Sequence, residues 1–171
     1  RPNNVDEMEQ TPDLIKMFRN GAQSQNLGHY LFHGPPGTGK TSAILAMCKE
    51  IFGPQYRDRV IEFNASHDRG IDAVRKKIYK VETRRFVCKV NDQGHRVPGY
   101  KVIILDEADQ MTDEAQDALR VIIESYSTVT RFCFICNYIS KITDAIKSRC
   151  TSIYFGKLSP DRIISKLKWI A

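Results

Sequence analysis

Five short apolar runs set the strongest limit on what this chain can fold into: HYLFH (29–33), RVIEFN (59–64), KVIILD (101–106), RFCFIC (131–136) and TSIYF (151–155). None has the clean polar–apolar alternation of a strand with one wet face. Each reads as a strand buried on both sides, the habit of parallel sheets. Parallel neighbours need crossover connections, and the stretches between the runs have helical period. Thr11 and Pro12 fit an N-cap and a first helical position ahead of DLIKMFRN. A second helix is predicted from near Thr41 to Phe52, stopped by Gly53 and Pro54, and a third from about Ile71 to Glu82. A fourth covers TDEAQDALRVIIES, with acids in its first turn. Strand, helix, strand in repetition predicts an α/β fold, a five-stranded parallel sheet with helices on both faces. Residues 83–100 break the rhythm and read as a loop or hairpin excursion. LSPDRIISKLKWIA, near the end, starts a further helix with Ser159 as its cap.

At 171 residues the chain is the size of one ordinary domain, or of one with a fragment of another, and large enough to bury a core without disulfides. No apolar run approaches the roughly 20 residues of a membrane helix, and RPNNVDEMEQ lacks the apolar centre of a signal peptide. The five cysteines are odd in number and irregularly spaced, which points to a reducing compartment. Cys133 and Cys136 form a C-x-x-C inside an apolar run. With no second pair beside them they read as structural filler ahead of metal or redox chemistry. The net charge of +6 is concentrated. From Arg69 to Lys89 there are eight Lys or Arg against two acids, Asp72 and Glu82, so this one segment carries the whole excess. It invites an anionic partner.

GPPGTGKT (34–41) places Gly34, Gly39, Lys40 and Thr41 in the pattern G-x-x-x-x-G-K-[ST], between an apolar strand and a helix. Glycines let the backbone curl so that successive N–H groups face phosphate oxygens, and the helix N-terminus adds positive potential. Lys40 would reach the terminal phosphates and Thr41 would offer its hydroxyl to Mg²⁺. KVIILDEAD supplies the metal side. Asp106, ending a strand beside the loop, would hold the Mg²⁺ shell, and Glu107 would polarise the attacking water. The letters DEAD also occur in DEAD-box helicases, which need a second motor lobe that this length does not provide. Asn137, after RFCFIC, could end a neighbouring strand and bond the γ-phosphate, although an Asn there is more often a turn residue. Arg149, before the last strand, is by itself a solvated charge or a helix C-terminal cap.

Taken together, GPPGTGKT, LDEAD, CN after the fourth strand and SRC before the fifth resemble the small subunits of replication factor C, the eukaryotic sliding-clamp loader and an AAA+ ATPase. RPNNVDEM, EFNASHDRGIDAVR, TRFCFICNY and KSRCTSIYF extend the resemblance over nearly the whole chain. It implies an AAA+ P-loop NTPase core over 1–158 and the start of a helical lid domain at 159–171. The cofactors it implies are ATP and Mg²⁺. The partners are the other replication factor C subunits in a hetero-pentamer, the sliding clamp PCNA, and primed double-stranded DNA held by its phosphates, with no membrane. The implied compartment is the nucleus. In the matched positions Gly37, Thr38, Gly39, Lys40, Thr41 and Ser42 form the phosphate loop, Asp106 and Glu107 the metal and water site, and Asn137 the γ-phosphate sensor. Arg149 matches an arginine finger that acts in trans on ATP held by the neighbouring subunit. Val5 and Met8 fall in the stretch that wraps the adenine.

On the helix from Ile71, the residues Ile71, Val74, Ile78 and Val81 share one face, and Arg69, Lys76 and Lys80 lie roughly opposite. Composition alone makes that a solvated face. The resemblance makes Arg69 and Arg75 contacts to DNA phosphates, sequence-blind and salt-sensitive. It turns Arg84, Arg85, Phe86 and Val87 towards the clamp. There are departures: NASHDRG has His67 where the family has an acid, and Arg120 is followed by Val121 where a second arginine is common. Two other readings share the nucleotide site. One is a different AAA+ remodeller, such as a helicase loader or a branch-migration motor; the other is a structural subunit that binds nucleotide without turnover.

Overall fold

The computed structural model describes residues 12–24, 26–67, 70–82, 89–90, 94 and 96–170. Its strands are β1 (Tyr30–His33), β2 (Val60–Asn64), β3 (Lys89–Val90), β4 (Arg96–Val97), β5 (Lys101–Asp106), β6 (Thr130–Cys136) and β7 (Thr151–Tyr154). Its helices are α1 (Pro12–Ser24), α2 (Lys40–Phe52), α3 (Tyr56–Arg59), α4 (Ile71–Glu82), α5 (Asp113–Tyr126), α6 (Asp144–Lys147) and α7 (Pro160–Ile170). The five apolar runs form one parallel sheet in the order β2-β5-β6-β1-β7. In the excursion, β3 and β4 pair antiparallel, with Lys89 opposite Val97, so the hairpin reading describes the part that is seen. Arg84, Arg85, Phe86 and Val87 lie outside the described residues.

Alternate side chains of the strands feed two cores. On one face Phe32, Val102, Ile104, Cys133, Ile135 and Ile153 pack with Phe18 of α1 and with Met47 and Phe52 of α2. On the other, Leu31, Ile103, Leu105, Phe132, Phe134 and Cys136 pack with Val74 of α4, Leu119 of α5 and Ile146 of α6. Cys133 and Cys136 therefore point to opposite faces of β6 and cannot share an ion. Burial raises both thiols, Cys136 to about 12, so both are poor thiolates. The C-x-x-C is core packing.

Two short elements escaped the sequence. Gly53 does end α2, its N–H bonding the Lys49 carbonyl, but the chain turns through a 3₁₀ segment (Gly53–Gln55) into α3. Pro54 fits the opening of that turn because the N–H it lacks would have no partner there. Neither α3 nor α6, four residues each, is long enough to leave a period. The longer helices match their signals. Thr112 caps α5, its hydroxyl accepting the Ala115 N–H at 3.2 Å, with Asp113 and Glu114 in the first turn. α4 buries Val74 and Ile78 and exposes Arg75, Lys76 and Lys80. α7 follows Ser159, whose carbonyl accepts the Ile163 N–H. Thr11, Arg69 and the Val81 side chain lie outside the described residues.

The topology places a crevice. From β1 the chain crosses by α2 on one face towards β2, whereas from β6 it crosses by α6 on the other face towards β7. Adjacent strands whose connections leave in opposite directions open a cleft at their carboxyl ends, where ligands of such sheets bind. Gly34 stands at that edge. Its φ is +141°, and a Cβ there would lie 2.2 Å from the Phe155 carbonyl oxygen, next to the 2.8 Å bond from Phe155 N to His33 O. Gly34→Ala is expected to destabilise the fold by roughly 1–3 kcal/mol, through strain at a φ that only glycine adopts freely. A urea-unfolding midpoint equal to that of the parent chain would refute this.

Candidate nucleotide-binding site

Residues 36–42, the ends of β5 and β6 and the turn after each line one cleft of about 290 Å³. The loop between β1 and α2 is curled by Gly37 (φ 75°) and Gly39 (φ 86°). Gly39 is the N-cap of α2 and has no side chain to bond the first helical N–H groups. Those donors are left facing the cleft at the positive end of a 13-residue helix, the arrangement that suits an anion. Lys40 is buried, and its ammonium donates to the carbonyls of Gly34 (2.8 Å) and Pro35 (2.7 Å). Burial pulls the Lys40 ammonium below the usual lysine value, against the pull of Cys136, Asp106 and Asp109 in the other direction. Burial and then Lys40 itself lower the imidazole of His33.

Opposite the loop, the Thr41 hydroxyl donates to Asp106 Oδ2 at 2.9 Å. The other carboxylate oxygen of Asp106 accepts the Glu107 N–H at 2.8 Å. A hydroxyl and a carboxylate already in contact are hard oxygen donors, the set that suits Mg²⁺. Glu107 is the one non-glycine residue with positive φ among the described residues (φ 54°, ψ 40°). A glutamate adopts that conformation only where its surroundings fix it, and such residues cluster at functional sites. Its exposed carboxylate accepts from Asn64 Nδ2 at 3.5 Å, across the β2–β5 pair, where Asn64 stands opposite Asp106. Asn137 enters the cleft from the end of β6.

Nine of the residues singled out in the sequence thus meet in one place: Gly37 to Ser42, Asp106, Glu107 and Asn137. Arg149 is elsewhere. It precedes β7, whose first residue Thr151 stands opposite Tyr30 at the start of β1, whereas the phosphate loop follows the end of β1. A strand of four residues at about 3.3 Å each separates the two positions. At that far end the Arg149 guanidinium lies against Glu124 of α5, with Nε donating to Oε1 at 2.9 Å and Nη2 donating to the same oxygen. Its Nη1 donates to the Ala145 carbonyl at 2.8 Å and the Ser148 hydroxyl at 3.2 Å. Arg75 is exposed on α4, away from the cleft lining. Val5, Met8 and Arg69 lie outside the described residues. Sequence reasoning missed Asn64 and Asp109, which act through partners 43 and 28 residues away.

The model of the ATPase family associated with various cellular activities (AAA) matches residues 30–158. A putative replication factor C small subunit of Acanthamoeba polyphaga mimivirus is 59% identical over 172 residues, 100% of this chain and 47% of the relative. Replication factor C subunit 2 of Saccharomyces cerevisiae is 46% identical over 100% of this chain and 49% of its own length. The chain spans about half the length of the curated relatives it matches. Among solved structures, the Thermotoga maritima RuvB Holliday junction branch migration motor superposes with a TM-score of 0.66 at 16% identity, over 92% of this chain and 48% of that one. At that identity the likeness shows the fold alone. Phosphate loop, acidic strand end and family match agree: the chain belongs to the AAA ATPase family.

Proposed function

We propose that this chain is the ATP-binding core of a sliding-clamp loader subunit, in which ATP binding and hydrolysis switch affinity for the clamp and for DNA. The observation that carries the reading is the division of the site. One end of the sheet gathers the phosphate loop, Asp106, Glu107 and Asn137, while Arg149 lies at the other. Lys40 and the loop N–H groups bind the β- and γ-phosphates. Thr41 and Asp106 would hold Mg²⁺, which when bound neutralises charge developing on the transferred phosphoryl group. Glu107 orients and polarises the attacking water, and Asn137 bonds the γ-phosphate. Arg149 serves the ATP of a neighbouring subunit, so hydrolysis is coupled to assembly geometry. To do so the guanidinium exchanges Glu124 for phosphate oxygens.

In the same reading residues 1–158 are the AAA+ core, with Val5 and Met8 against the adenine, and α7 opens a helical lid. The exposed Ile163, Ile164 and Leu167 on α7 suit a helix that packs against further structure. Arg75, exposed on the basic helix, and Arg69 contact DNA phosphates. The partners are the other subunits of a hetero-pentamer, PCNA and primed double-stranded DNA, and the eukaryotic relatives make the nucleus the expected compartment. Among the described residues no helix is long and apolar enough to cross a membrane.

The test is steady-state ATP turnover of the full-length subunit in its reconstituted complex, with no addition, with primed DNA, and with primed DNA plus PCNA. Clamp and DNA together should raise turnover above either control. Indifference to both, or stimulation by a four-way junction instead, would assign the cleft to a different remodeller.

A further inference from the structure

The ladder between β5 and β6 ends at Leu105–Phe134, yet the polar groups facing the cleft lie beyond it, at Asp106 and Glu107 where β5 ends and at Asn137 just after β6. One side chain bridges the two ends past that point. Asp109 sits in the 3₁₀ turn Ala108–Gln110 that follows Glu107 and is only 8% exposed. Its Oδ2 accepts the backbone N–H of Asn137 at 3.2 Å and that of Tyr138 at 3.1 Å. Two successive backbone donors converging on one buried oxygen hold a loop in a single position. The other end of the bridge is equally fixed: Gln110 N–H bonds the Glu107 carbonyl at 3.0 Å, closing the turn in which Glu107 takes its left-handed conformation.

We propose that Asp109 is a positioning residue for ATP hydrolysis: it locks the Glu107 turn to the Asn137 loop, so that the group acting on water and the group bonding the γ-phosphate keep one separation. The inference rests on the reading of Glu107 and Asn137 given above. Asp109 stands behind the cleft rather than among the residues that line it. Its negative charge also acts on Lys40, so a test has to separate charge from geometry.

Two substitutions do this in the full-length subunit within its complex. Asp109→Asn keeps a carbonyl oxygen of the same reach for both N–H groups and loses the charge. Asp109→Glu keeps the charge and moves the oxygen by one methylene. Positioning predicts that Asp109→Glu lowers kcat by up to about 10²-fold, the cost of a displacement near 1 Å, with affinity for a fluorescent ATP analogue and Tm close to the parent values. Asp109→Asn should retain most of kcat. The reverse order, with Asp109→Asn the more damaged, would make the role electrostatic and overturn the proposal. So would a fall of kcat, nucleotide affinity and Tm together in both variants, which marks a structural residue. Glu107→Gln run in parallel separates the two failures. If it leaves turnover intact, the site reading itself is wrong; if it abolishes turnover while both Asp109 variants match the parent, only the bridge is.

Discussion

Arg149→Ala is expected to lower ATP turnover at the neighbouring subunit's site by about 10³–10⁵-fold, the range over which an arginine finger acts. It should leave the turnover of the isolated chain, expected to be slow, unchanged. The second half of that expectation carries the argument. Arg149 stands beyond the amino-terminal end of β7, and the chain's own phosphate loop follows the carboxyl end of the adjacent β1. No side-chain rotation spans the sheet between them. Its present partners, Glu124, Ala145 and Ser148, are neighbours at that far end. The experiment compares phosphate release by the isolated chain and by the complex, each with Arg149 intact or replaced, and with the neighbour the only subunit holding a functional glutamate. Loss of activity in the isolated chain would place the arginine in cis and refute the assignment. Rapid turnover by the isolated parent chain would count against it as well.

Glu107→Gln should lower turnover by about 10²–10⁴-fold, the usual worth of a positioned acid–base group, and leave ATP binding near the parent value. Glutamine has the shape of glutamate, and its carbonyl oxygen can accept the Asn64 amide as the carboxylate does now. The left-handed backbone at residue 107 and the Asp106 contact to the loop are then undisturbed, so a change in rate reports the lost charge and basicity. Binding of a fluorescent ATP analogue and single-turnover hydrolysis, measured side by side, separate the two steps. A variant that hydrolyses ATP as fast as the parent would leave a nucleotide-binding subunit whose site has a structural role.

The sequence made the sheet and the phosphate loop legible because both are written in contiguous residues. A strand buried on two faces must be apolar throughout, and the anion-binding loop needs its glycines, lysine and threonine at fixed spacing. From its local sequence Asn137 was an ambiguous turn residue; the resemblance made it a sensor, and the pairing of β6 with β5 brings it to the cleft. Asn64 and Asp109 left no local signal at all. An Asn ending a strand and an Asp in a short turn are common, and what distinguishes them here is a partner brought near by strand order. The left-handed conformation of Glu107 is equally silent, since nothing in LDEADQ demands it. Arg149 was read through resemblance, and only the direction of β7 shows which end of the molecule it occupies.

In the proposed reading the sheet makes each protomer polar, with a receiving end at the phosphate loop and a donating end at Arg149. Contact between the donating end of one copy and the receiving end of the next is heterologous, so such protomers stack head to tail rather than about a two-fold axis. In an open arc built this way the number of completed sites is one fewer than the number of protomers. The subunit at one tip would hold nucleotide with no arginine supplied by a neighbour, and the subunit at the other tip would present its arginine to nothing.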